Sequence, residues 1–319
     1  MNIIAFLKKW TLPSGLIIGA VVYLLFSRIA PLQPIGNVAG PFLVKLLPVV
    51  IFVMLYITFC KIQMGDLRPR AWHFILQAIR IILSGLLVLA ILHTTNPMTK
   101  LVLEGVFVCV ICPTAAAAPV IAERLGGSIA SLTIYTILAN VVTSIIIPLF
   151  FPMVEKSADI TFLTAFIMIL RRITFVLIVP LCLALLTRKF LPKVATHIKE
   201  TKNLAFYLWG FNLSIIMGLT IRNILATQVY GTVLALLLLL PLVISLLLFS
   251  IGKVVGYHYG DSISAGQALG QKNTVVGIWL TITFLNPVAS IAPCAYVVWQ
   301  NLINAWQLWY KQKYGTLKW

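Results

Sequence analysis

The sequence predicts an all-α polytopic membrane protein: ten transmembrane helices forming two inverted five-helix repeats, with discontinuous crossing helices at the fourth and ninth places. Three observations carry that expectation. Of 319 residues, 61% are hydrophobic and 10% charged, with mean hydropathy +1.04, which excludes the soluble globular classes. The apolar residues fall into runs of about twenty, the length that crosses a hydrocarbon core. Two of these runs, in corresponding places of the two halves, are interrupted by proline, glycine and polar residues.

The first run, about 13–30, follows Lys8 and Lys9 and superficially resembles a signal peptide, but Ser27 to Pro31 leads straight into another run without a small-residue cleavage site. Runs two and three, about 40–60 and 72–93, each hold one cation, Lys45 and Arg80, expected to snorkel or pair locally. Run four, about 100–122, contains Cys112-Pro-Thr-Ala-Ala-Ala-Ala-Pro119. Pro113 and Pro119 lack amide donors, so the helix should open near Thr114 to Ala118 and free carbonyls for a cation or a substrate hydroxyl. Run five, about 128–153, carries Thr133, Thr136, Asn140 and Thr143 as one polar stripe, which bonds a neighbouring helix or lines a site.

Run six, about 163–187, begins with an interfacial stretch from Asp159 to Arg172, since Arg171 and Arg172 favour headgroups. Runs seven and eight cover about 204–221 and 231–257, and run ten covers about 288–310. Run nine, about 262–286, holds Gly266-Gln-Ala-Leu-Gly-Gln-Lys-Asn-Thr274. Lys272 lies roughly 15 Å into it at helical rise, near the bilayer centre. A lysine there is tolerated only with protein or a water-filled cavity around it.

With a cytoplasmic N-terminus, fifteen basic residues fall in inside segments and four in outside segments, so both termini are expected on the cytoplasmic side of the plasma membrane. Five spans per half invert the second half, giving repeats at 1–158 and 159–319. Spans three and eight, and five and ten, are offset by 160 residues, and the two breaks by about 154.

Other chemistries find little in the chain. The net charge of +17 belongs to loops that hold orientation, so nucleic acid is not an expected partner. Five cysteines, Cys60, Cys109, Cys112, Cys182 and Cys294, are expected as buried thiols, and no metal or cofactor is expected. No serine or cysteine has a histidine partner at recognisable spacing, so an enzyme is not expected. Lys272 lacks the glycine before it and the hydroxyl after it that a phosphate-binding loop needs. Three readings stay open for it: a titrating group coupled to protons, a built-in cation that meets an anion, or a snorkelling side chain.

Cys112-Pro113, Gly127, Thr136 to Pro148, Gly270, Asn273 and Trp299-Gln-Asn301 together resemble the bile acid:sodium symporter family over nearly the whole chain. The resemblance implies a panel domain (spans 1–2 and 6–7) and a core domain (spans 3–5 and 8–10), with an organic anion moved between them by alternating access. It implies sodium ligands at four positions that here read Ala118, Pro119, Ala268 and Lys272, so three have lost oxygen and one has become a cation. The expected function is therefore sodium-independent transport of a small organic anion, with Lys272 as built-in cation or proton-coupling group. Alternatives are a sodium-coupled symporter of bile-acid-like or small carboxylates, an uncoupled channel or exchanger, and a non-transporting receptor or scaffold. The expected site comprises Lys272, Asn273, Gln271, Gly270, Gln267, Pro113, Thr114, Ala118, Pro119, Thr136 and Asn140.

Overall fold

A computed structural model describes residues 10–62, 64–155, 163–164, 167, 171, 174–201, 203–226, 229 and 231–317, and all extended regular structure among them is helical. The helices are α1 (Thr11–Arg28), α2 (Gln33–Phe59), α3 (Ala71–His93), α4 (Pro97–Ile111), α5 (Ala118–Leu125) and α6 (Ile129–Val154). After a π-helical turn at Thr174–Ile178 come α7 (Val179–Phe190), α8 (Pro192–Glu200), α9 (Leu204–Leu225), α10 (Gly231–Tyr257), α11 (Ser262–Gly270), α12 (Thr274–Phe284) and α13 (Ile291–Tyr314). Lys8, Lys9, Lys156, Lys202 and Lys318, five of the basic residues in the orientation count above, and most of the proposed interfacial stretch, Asp159 and Arg172 included, lie outside the described residues.

Local chemistry sets several ends. Asn96 accepts from the amides of Met98 and Thr99 ahead of Pro97, and Ser128 accepts from Ser131, so α4 and α6 both begin at side-chain caps. The α5 helix stops at Gly126, whose φ of 93° belongs to the left-handed region that glycine adopts freely.

Among the described residues six helices, α1, α2 with its preceding turn, α3, α6, α9 and α10, are long and apolar enough to cross a membrane. Their outward faces carry exposed side chains such as Val38, Phe42, Ile82, Leu86, Leu239 and Val243, a surface suited to lipid rather than water. The chain is an all-α membrane protein.

Helices α1, α7 and α9 pack around α2, while α3 to α6 pack with α10 to α13; α13 also touches α1 and α9. Small residues bring backbones together in both groups. A Cβ on Gly15 or Gly19 would collide with the carbonyls of Gly210 or Ser214, seating α1 on α9. A Cβ on Gly252 would strike the Ala265 carbonyl, and one on Gly270 the Phe249 ring, seating α10 on α11.

That packing corrects the expected break in run nine. Gly266 and Gly270 stay helical within α11, and only residues 271–273 unwind. The two glycines serve close approach to Lys253 and Phe249, not helix opening. Lys253 itself, counted above with cytoplasmic loops, is buried on α10. Cys182, expected buried, is exposed. The short basic helix α8 was not foreseen.

Candidate functional site

The two unwound segments, 112–117 between α4 and α5 and 271–273 between α11 and α12, cross at Thr114 and Lys272, which form an antiparallel bridge. Ala115 N–H donates to the Gln271 carbonyl at 3.0 Å, and Asn273 N–H donates to the Pro113 carbonyl at 2.8 Å. Gln300 of α13 completes the other edge, where its Oε1 accepts from Lys272 N–H at 2.8 Å and its Nε2 donates to the Lys272 carbonyl at 3.2 Å. The carboxamide thus mimics a peptide group. Peptides that leave helical pairing in a buried region need such replacements, since an unpaired buried group is costly.

The orphan carbonyls at the C-terminal ends of α4 and α11 are capped reciprocally. Lys272 Nζ donates to the carbonyls of Val110 at 2.9 Å and Cys112 at 3.2 Å. Arg80 of α3 donates through Nη1 to Ile111 at 3.2 Å, Cys112 at 3.3 Å and Thr143 Oγ1 at 2.7 Å, and through Nη2 to the Ala139 carbonyl at 3.0 Å. On the α11 side, Thr114 Oγ1 donates to the Ala268 carbonyl at 2.6 Å and the Tyr296 hydroxyl to the Gly270 carbonyl at 2.7 Å. A helix C-terminus carries roughly half a negative charge, so two cations suit the α4 end.

Arg80 is the residue that sequence reasoning missed. Expected to snorkel or pair locally, it is only 1% exposed and ties α3 to the α4 end and to α6. Its position on the α3 face shared by Gln77 and Ser84, both buried, was the available signal. Lys45, by contrast, is exposed on α2.

Lys272 and Arg80 both donate to the Cys112 oxygen, so their heads lie no farther apart than those two bonds together allow. Neither pairs with a carboxylate among the described residues. The ion pairs there join Lys61 to Glu123, Arg70 to Asp261, and Lys100 to Glu104 and Glu155. Two buried basic side chains with no carboxylate partner among the described residues are an unusual and costly arrangement.

Beside the crossing lies a cavity of about 400 Å³. Its walls are Val44, Leu47, Pro48, Ile51 and Met54 of α2, Trp209, Ile216 and Leu219 of α9, Phe175 and Leu177 of the π-turn, and Trp279 of α12. Its polar end holds Lys272, Asn273, Thr274 and Asn140, together with Pro113 and Ala115 to Ala117. The N-terminal ends of α5 and α12 begin within this polar lining, and helix N-termini favour negative charge.

The other expected residues divide. Ala118 and Pro119 start α5 and are buried behind the opening rather than at it. Thr136 donates to the Leu132 carbonyl of its own helix, as Thr133 and Thr143 do to theirs, so of the α6 stripe Asn140 alone lines the cavity. Asn140 Nδ2 donates to the Thr136 carbonyl. Gln267 faces α13 instead, donating to Asn304 and Gln307, both at 3.0 Å. The Gln271 carboxamide is buried and has no hydrogen-bond partner among the described residues.

No family model matches this sequence, and no curated protein matches it.

Proposed function

We propose that the protein is a secondary transporter of organic anions that works by alternating access without sodium, with Lys272 as its fixed cation. The observation that carries this reading is the cavity's polarity: an apolar, tryptophan-walled chamber ends at Lys272, which has no carboxylate partner among the described residues, and at two helix N-termini. Such a chamber complements an amphiphilic anion, with its charge toward the crossing and its apolar body between α2, α9 and Trp279.

Counting α4 with α5 and α11 with α12 as single interrupted spans, and leaving out the short, largely exposed α8, gives ten, in two inverted repeats, with both termini cytoplasmic. Support comes from helix starts. Ala71 and Gly231 stand 160 residues apart, and the helices that resume after the breaks, at Ala118 and Thr274, stand 156 apart. The helices around α2 then form the panel, and those around α4 and α11 the core. The cavity between them is where relative movement opens one side and then the other. This arrangement agrees with the resemblance to the bile acid:sodium symporter family, from which the chain departs in its cations.

The Lys272 ammonium caps the carbonyls that a free cation would otherwise coordinate at the α4 end, and a second cation so close would meet repulsion of several kcal/mol at low effective dielectric, on the order of 4 at 4 Å. Sodium binding to the folded state would raise its melting temperature by mass action, by about 2.7 kcal/mol of stability at a hundredfold excess over Kd. The expected result is identical melting in sodium and potassium chloride, with counterflow of labelled organic anions in both. A sodium-specific rise in melting temperature would overturn the sodium-independent reading, and absence of counterflow for every anion bound would overturn transport.

A further inference from the structure

Helix α13 is long enough to span a membrane yet is not among the six apolar spans. Its polarity is concentrated in side chains buried inside the protein: Gln300, Asn301, Asn304 and Gln307. Gln300, Asn304 and Gln307 recur at helical spacing, so they form one stripe. Gln267 of α11 bonds into this stripe, and Gln271, in the unwound segment four residues on, is buried as well. Two pairs of bonds set the register: Gln267 to Asn304 and Gln307, and Lys272 to Gln300. The helices therefore run antiparallel, and Gln271 falls level with Gln300 and Asn301.

Five amide atoms along this seam have no hydrogen-bond partner among the described residues: Gln267 Oε1, Gln271 Oε1 and Nε2, Asn301 Oδ1 and Asn304 Nδ2. They include donors and acceptors, and they extend from within a turn of Gln307 to the residue beside Lys272. A dry seam would leave each atom at a cost that native proteins meet with buried water, which bonds two to four such groups at once. A cation would satisfy only the oxygens and would add charge beside Lys272 and Arg80. Beyond Gln307 the stripe ends at Lys311, which donates to the Arg124 carbonyl at the α13 C-terminal end.

We propose that a single file of water molecules occupies the amide seam between α11 and α13 and gives the crossing at Lys272 aqueous access from the α13 C-terminal side. The seam is separate from the anion cavity, whose lining includes none of the four residues that carry these atoms. The purpose of this access rests on the fixed-cation role of Lys272 proposed above, whereas the hydration itself does not.

Silver ion, which passes through water-filled gaps too narrow for larger thiol reagents, is the probe. Gln267→Cys, Asn301→Cys, Asn304→Cys and Gln307→Cys are made singly, and thiols left free after silver exposure are quantified by mass spectrometry of denatured protein. Native Cys294, buried on the same helix, is the internal reference. Blocking at the substituted positions at least ten times faster than at Cys294 is expected, and rates equal to that of Cys294 would overturn the water file. Should a variant fail to fold, X-ray radiolysis of the wild-type protein takes its place. Water beside Gln271 should oxidise Tyr296 well above the equally buried Tyr135, and equal labelling would overturn the proposal. Neither measurement reads transport, so this failure and failure of the transporter reading are distinguishable.

Discussion

Replacing Lys272 by methionine separates its electrostatic role from its structural one. Methionine keeps a long unbranched side chain but removes the charge and the donors. Cys112 keeps the Arg80 guanidinium on its carbonyl, so Val110 is the one carbonyl that loses its side-chain donor. An orphaned buried carbonyl costs about 1–3 kcal/mol. Against this, the substitution releases a buried ammonium that has no carboxylate partner, whose desolvation penalty is several kcal/mol. The two terms oppose each other, so the melting temperature should shift by less than about 5 °C, using the scale of 2–4 °C per kcal/mol for large domains.

The anion loses more. Hydrogen bonds or contacts with a charged group contribute about 1.5–3 kcal/mol, which is a loss of roughly ten- to hundredfold in affinity. Equilibrium dialysis of a labelled aromatic carboxylate and a labelled alicyclic sulfonate against purified wild-type and Lys272→Met protein reads this directly. Unchanged affinity for whichever probe binds the wild type would refute the fixed-cation argument. A variant that unfolds but is rescued by Lys272→Arg would show that the charge is structural instead.

Two further outcomes follow from the packing. Arg80→Gln removes the side-chain donor to the Ile111 carbonyl seen among the described residues and the guanidinium bonds from α3 to Ala139 and Thr143 of α6, so stability should fall by roughly 2–4 kcal/mol in thermal melts. Arg80→Lys should restore little of it, because one ammonium cannot reproduce the planar fork. Gly252→Leu should abolish a monodisperse peak in size-exclusion chromatography of detergent extracts, a loss above about 4 kcal/mol, because the side chain would enter the α11 backbone. Gly40→Ala, with open space around its Cβ, should leave that peak intact.

Hydropathy made the membrane class and most helix positions legible, because lipid demands continuous apolar surface over a fixed length. Both interruptions were also legible, since Pro113 and the polar Gln271–Asn273 stand out against their surroundings. Glycine was ambiguous: Gly266 and Gly270 look like helix breakers, yet they are surfaces for α10, and only the neighbouring helix distinguishes the two uses. Arg80 was undervalued for a similar reason. One cation in an apolar run has the same sequence whether it reaches for headgroups or caps a distant helix end.

The sequence by itself determined the all-α membrane class, the two broken helices and a lysine at the centre of the second. These follow from local composition, which fixes what each segment tolerates as its solvent. Tertiary structure alone decided that Lys272 and Arg80 share one carbonyl, that Gln300 stands in for a strand partner, and that Asn140 rather than Thr136 lines the cavity. The bonds behind those relations join residues as far as 160 positions apart. The crossing of two unwound segments brings them together, and no property of either segment taken separately contains that geometry.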